Sequence, residues 1–306
     1  MTETAAGPVV QPAVGSGPEF DRDLPLDSHL HTNLSPDSDV LIDAYCAAAV
    51  ERGIPEIAIT DHVDFDPRYP AYEYALFEDR ERMVRDAGER WAEHGLGVRF
   101  GVEVTYESSR EDEIRGYLAR NRHDFIIGSV HIGPDSPYRA ERVASWVAGR
   151  SLAAIIEPYF REVARAARSG LFDTIGHVDF VKRYLHPHVS PADLAAAPEL
   201  YEPVLQALVD SGTGLEVNAS GLRQSPGETY PAADIVARYR ALGGQAVTTG
   251  SDAHRADSFA FGLAVGYSLI AAAGFEAVAF RRGGDRVAVR IGHVRGVPNT
   301  SPVRSL

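Results

Sequence analysis

The 306-residue chain predicts an α/β protein organised as one parallel, barrel-like domain. Three observations carry that reading. Seven short apolar runs alternate with amphipathic helical segments, and strands that alternate with helices pair in parallel. Each run ends at a polar side chain able to bind a metal. No Pro/Ser-rich linker, low-complexity core segment or repeat of about 20–50 residues divides the sequence.

The elements follow in order. Leu24–His31 reads as a strand. Ser38 or Asp39 is placed to cap a helix over Val40–Arg52, stopped by Gly53. Glu56–Thr60 is a strand ending at Asp61 and His62. An aromatic loop through Phe65 and Pro70 leads to a charged helix from Glu73 to His94, stopped by Gly95. Val98–Val104 is a strand carrying Glu103, and Ser109–Arg120 a helix. Phe125–Val130 is a strand ending at His131, followed by a helix over Ser151–Ser169 that Pro158 is expected to kink or interrupt. Phe172–Gly176 ends at His177, and Pro191–Ser211 is mainly helix. Leu215–Val217 ends at Asn218, Ala232–Leu242 is a helix, and Gln245–Thr249 runs into Ser251, Asp252 and His254. A helix over Leu263–Ala273 and two extended runs, Ala277–Arg282 and Arg286–Ile291, close the folded part. The turn between those runs is Gly283, Gly284 and Asp285. One domain over residues 22–297 is expected, with a flexible tail at 1–21 and a loose one at 298–306.

The formal net charge of −13 argues against nucleic acid or an anionic membrane surface as the main partner. Residues 1–20 have no basic start and no long apolar block, so they do not read as a signal peptide. Gly266, Gly274 and Glu276 break the apolar stretch Ala264–Phe280, which is not a membrane span. The single cysteine, Cys46, reads as a small buried helix residue. One cysteine allows no disulfide framework, which fits a reducing compartment, and a cytoplasmic location is expected.

The strand ends carry the chemistry. His29 and His31 stand two apart on an extended segment, so their rings share a side. The other ends hold His62, Glu103, His131, His177, Asn218, and the Asp252/His254 pair. In a parallel barrel these ends converge on one face, where active sites form. Six of the 11 histidines lie there; His94, His123, His186, His188 and His293 do not and read as surface or packing residues. With Asp37, the candidate ligands number nine, all imidazole or carboxylate. That set suits Mn, Fe or Zn rather than Ca or Mg, and is large enough for two or three clustered ions. A single ion with several of these histidines in packing roles is the simpler alternative.

The ordered segments Asp27-Ser28-His29-Leu30-His31, Asp61-His62-Val63-Asp64-Phe65, Gly101-Val102-Glu103, Gly128-Ser129-Val130-His131, Gly176-His177-Val178-Asp179, Glu216-Val217-Asn218 and Gly250-Ser251-Asp252-Ala253-His254 resemble the PHP (polymerase and histidinol phosphatase) family, its histidinol-phosphatase type in particular. The resemblance implies a distorted (β/α)7, TIM-like barrel with a trinuclear metal centre at the C-terminal strand ends. It implies that His29, His31, Glu103 and Asp252 hold one ion. Glu103, His131 and His177 would hold a second, and Asp37, His62 and His254 a third. Where Asp37 stands, other members carry histidine.

A phosphomonoesterase acting on L-histidinol phosphate in histidine biosynthesis is then the expected function. A hydroxide bridging two ions would attack phosphorus, with Asp252 orienting or deprotonating the water. A phosphate dianion also calls for cationic donors, and Arg223, Arg183 and Lys182 follow strands at the barrel mouth. Asn218 is expected as a positioning donor near the substrate, Tyr184 and Tyr230 as pocket walls, and Asp64, Asp66 or Glu228 as partners for a cationic amino alcohol. The alternatives are a phosphoesterase for another small phosphate, a nucleotide or a phosphoprotein, and a non-catalytic metal-stabilised scaffold.

Overall fold

The computed structural model describes residues 24–282 and 284–291. The expected tails, His293 and Gly283 of the last turn lie outside the described residues. β1 (Asp27–Leu30), β2 (Glu56–Ile59), β4 (Gly97–Thr105), β5 (Phe125–Ser129), β6 (Thr174–Ile175), β7 (Gly214–Asn218) and β8 (Val247–Gly250) pair in parallel, in that order. A short β3 (His62–Val63), which the sequence reading did not separate from the loop, pairs with β4 through His62 and Glu103. The barrel nearly closes between β8 and β1. There the His31 amide donates to Ala253 O and the Asp252 amide to His29 O, each at 2.9 Å.

Helices α1 (Ile42–Arg52), α2 (Phe77–Ala92), α3 (Glu111–Arg120), α4 (Val143–Val147), α5 (Leu152–Arg168), α6 (Lys182–Leu185), α7 (Pro191–Ala195), α8 (Glu202–Ser211), α9 (Ala233–Ala241) and α10 (Leu263–Ala272) form the connections. Ile, Leu, Val and aromatic side chains between strands and helices make one continuous core, in which Cys46 is buried. Burial of this kind, at about 25 cal/mol per Å² of apolar surface, drives the fold.

Four local expectations change. α1 begins at Ile42 with no side-chain cap, because the Ser38 hydroxyl instead donates to His31 O at 3.0 Å and ties down the loop after β1. α2 starts at Phe77 rather than Glu73, whose φ of 51° is not helical. Pro158 lies inside an uninterrupted α5. The expected helix over Pro191–Ser211 is instead α7, a 3₁₀ turn over Pro198–Tyr201, and α8. Pro198 and Pro203 lack the amide that a continuous helix needs.

A hairpin of β9 (Ala277–Arg282) and β10 (Asp285–Arg290) lies across the N-terminal strand ends. Arg282 pairs with Glu56 at the start of β2, Arg281 with Asp173 just before β6, and Phe280 packs on Phe125 with ring centroids 4.9 Å apart. The opposite end of the barrel is left to the functional site. Among the described residues no helix is long and apolar enough to cross a membrane.

Candidate metal centre

Strand alternation aims Glu103 and Thr105 of β4 at the barrel interior, and the parallel register brings His62 alongside Glu103. Glu103 is the hub. Its Oε2 lies 3.3 Å from Nε2 of both His29 and His31 and 3.0 Å from His62 Nδ1. Its Oε1 lies 3.3 Å from His131 Nε2 and 2.9 Å from His177 Nε2. Asp252 Oδ1 stands 3.4 Å from His31 Nε2, 3.8 Å from His29 Nε2 and 3.4 Å from His254 Nδ1. Asp37 Oδ2 reaches His62 Nε2 at 3.4 Å and His254 Nε2 at 3.2 Å. All nine side chains singled out in the sequence thus meet in one cluster. His177 and Asp252 have φ of 24° and 53°, so two of the nine sit in a backbone region costly for non-glycine residues.

The donor set fits divalent cations. Three groups, His29/His31/Asp252, His31/His62/His254 and His62/Glu103/His131, each bring their ligand atoms within 4.8 Å of one another. Glu103 Oε2 is buried and accepts no hydrogen bond despite its three imidazole neighbours. A buried carboxylate oxygen that faces three imidazoles without a hydrogen bond is an unsatisfied acceptor, and a cation would supply what is missing. Burial opposes ionisation of Glu103, yet His29, His62 and His131 around it hold the carboxyl well below its ordinary range. Burial likewise opposes Asp252, and His29 and His31 overcome it. Burial, then the charges of His254 and His62, push His31 down.

Outer contacts fix several rings. The His29 Nδ1–H donates to Glu216 Oε1 at 2.7 Å. His131 Nδ1 bonds Thr105 Oγ1 at 2.9 Å, and Thr105 in turn donates to Asp64. Asp61 accepts from the Thr32 amide at 2.6 Å and from the Ser35 hydroxyl at 2.8 Å, anchoring the loop that follows His31. From α2, the buried guanidinium of Arg80 bonds the carbonyls of His62, Asp61 and Leu34. The sequence reading gave no role to Glu216, Thr105 or Arg80. Glu216 alone carried a signal, a carboxylate in the middle of an apolar barrel strand.

A cavity of about 590 Å³ opens above the cluster, and Tyr69, Phe180, Arg183, Tyr184, Arg223 and Arg255 help to line it. Arg183 makes no salt bridge among the described residues. Arg223 donates to Ser251 O at 2.8 Å and to Asp252 O, so it binds the turn carrying Asp252 while facing the cavity. Lys182 departs from its expected place. It is buried, with its ammonium 2.8 Å from Asp179 and 2.7 Å from Glu228, and does not line the cavity. Asn218 sits behind the site: its amide donates to Glu216 Oε2 at 3.0 Å and to Asp252 Oδ2 at 3.3 Å. Tyr230 is core, and Asp66 is held by Arg68. Of the acidic residues considered for a cationic substrate, only Asp64 faces the cavity.

The model of the PHP domain matches residues 27–220. The chain belongs to the PHP-domain family. Among PHP-domain relatives, it is 32% identical over 261 residues to a probable histidinol-phosphatase of Deinococcus radiodurans, covering 83% of this chain and 96% of that one. It is 27% identical to the histidinol-phosphatase of Lactococcus lactis, covering 83% and 93%. These matches place it among the phosphatase enzymes of the PHP family. In fold it resembles the crystal structure of histidinol phosphate phosphatase from Lactococcus lactis, complexed with zinc, L-histidinol and phosphate. The TM-score is 0.74 at 23% identity, covering 86% of this chain and 98% of that one.

Proposed function

We propose that this chain hydrolyses L-histidinol phosphate to L-histidinol and phosphate, a step of histidine biosynthesis. The observation that carries the reading is one arrangement: nine clustered imidazole and carboxylate side chains beneath a cavity that Arg183 and Arg223 help to line. The names of the relatives, and the ligands in the Lactococcus lactis complex, support the substrate.

In this reading His29, His31, Glu103 and Asp252 hold one ion, Glu103, His131 and His177 a second, and Asp37, His62 and His254 a third. When bound, ions of the Mn, Fe or Zn type would supply positive charge for the phosphoryl oxygens and lower the pKa of water. The protein's own groups do the rest. Arg183 and Arg223 engage the phosphoryl oxygens through charge-assisted hydrogen bonds. Asn218 holds Asp252 Oδ2 and so fixes the carboxylate that orients the attacking water, and the proton that water gives up ends on the leaving alkoxide. Asp64 faces the ammonium of the amino alcohol, and Tyr69, Phe180 and Tyr184 exclude water around the leaving group.

The test is phosphate release by protein purified with Mn or Zn, from L-histidinol phosphate, p-nitrophenyl phosphate and a nucleotide bisphosphate. Strong preference for the first is expected. Equal, slow turnover of all three overturns the substrate assignment.

A further inference from the structure

The geometry points to Glu216 as a positioning residue that sets the tautomer of His29 and aligns ligands from three neighbouring strands. This deepens the metal-dependent reading above and rests on it. Glu216 is completely buried on β7 and has no Lys or Arg partner among the described residues. Its Oε1 takes the His29 Nδ1–H at 2.7 Å. Its Oε2 takes the backbone amide of His177 at 2.9 Å and the Asn218 amide at 3.0 Å, and that Asn218 amide also reaches Asp252 Oδ2 at 3.3 Å. One carboxylate thereby ties together β1, the turn after β6, and the turn after β8.

The chemistry of the three contacts is one-sided: every group facing Glu216 is a donor. An acceptor at His29 Nδ1 leaves the lone pair on Nε2, the nitrogen that faces His31, Glu103 and Asp252. Glu216→Gln breaks this logic without changing shape. Two donors, the His177 amide and Asn218, face the Oε2 position, so the glutamine oxygen settles there and its NH₂ turns to His29 Nδ1. His29 must then accept at Nδ1 and carry its proton on Nε2, where a metal is to bind. Glu216→Ala removes the partner but forces no tautomer.

A purely structural role ranks these variants one way: the isosteric Gln is mild and the cavity-forming Ala severe. The positioning role ranks metal binding the other way. The experiment measures Zn affinity and stoichiometry by competition with a chelator, together with the thermal midpoint of the metal-free proteins. Expected is a Zn affinity at one site about 10–100-fold weaker in Glu216→Gln, and at least as weak as in Glu216→Ala. The metal-free midpoint of the Gln variant should stay near the wild type while that of the Ala variant falls. Long-range ¹H–¹⁵N spectra of Zn-loaded wild type provide a second readout that needs no variant to fold: His29 should show a protonated Nδ1. Wild-type affinity in Glu216→Gln, or an unprotonated Nδ1, overturns the assignment and leaves the metal centre standing. Wild type that takes up no Zn overturns both.

Discussion

Glu103 gathers five imidazoles because it is an inward-facing residue of β4, and its neighbours differ in what they can lose. His131 touches Glu103 Oε1 directly and is also braced by Thr105. His131→Ala should lose bound metal, with a drop in turnover beyond the about 10–100-fold typical of an outer-shell partner; metal analysis alongside the phosphatase assay checks it. The two arginines should separate in the same assay. Arg183 has no competing salt bridge among the described residues, so Arg183→Ala should cost about 1.5–3 kcal/mol, read as roughly a 10–100-fold rise in KM with metal content and kcat near normal. Arg223 also holds the carbonyls of Ser251 and Asp252. Arg223→Ala should therefore reduce kcat as well as raise KM.

The histidine pair after and within β1 depends on the element beside it. A Cβ on Gly250 of β8 would stand 2.3 Å from His29 Cβ and 2.9 Å from its backbone nitrogen. The seam that brings Asp252 to His29 closes only because position 250 has no side chain. Gly250→Ala should destabilise the fold by about 1–3 kcal/mol through overpacking, lowering the denaturant midpoint, and should weaken metal binding by displacing β1 from β8. The strand sequence and most helices were legible beforehand, because a run such as Phe125–Ser129 differs in period from the helix that follows. The two-residue β3 was not, since so short a strand has no periodicity and exists by pairing with β4. The break between α7 and α8 was written in Pro198 and Pro203, but the surrounding helical pattern outweighed it.

Across the molecule, the histidines divide into the cluster and a few outside it, and one of the latter contributes to acid sensitivity. His123 packs among Phe77, Phe100 and Tyr117. Burial, with the nearby charge of Arg80, pushes it down from 6.5 to about 4. The folded state keeps this ring neutral while the unfolded chain protonates it. Its contribution is thus fully present above pH 6.5 and is lost as pH falls through the window down to about 4. The loss amounts to at most about 3 kcal/mol. His123→Phe should flatten the decline of unfolding free energy across that window, as measured by denaturant titration at several pH values.

The site itself was visible in outline at the level of residue type. Imidazoles and carboxylates at consecutive strand ends share one face of any parallel barrel, so His29, His31, His62, Glu103, His131, His177, Asp252 and His254 could be grouped without coordinates. Their outer partners could not. Lys182 looked like a phosphate ligand because it follows a strand, and the fold instead buries it between Asp179 and Glu228. Glu216 looked like part of a strand, and the fold sets it against His29, 187 positions away in the chain. Alternation and periodicity are local properties, so the sequence by itself determined the class of fold, the ligand types and the face they occupy. Which side chain answers which depends on strand register and on the packing of α2, α6 and the loops over the barrel mouth. Only the tertiary structure decided that, because a buried charge or donor takes the partner that closure of the barrel brings within hydrogen-bond reach.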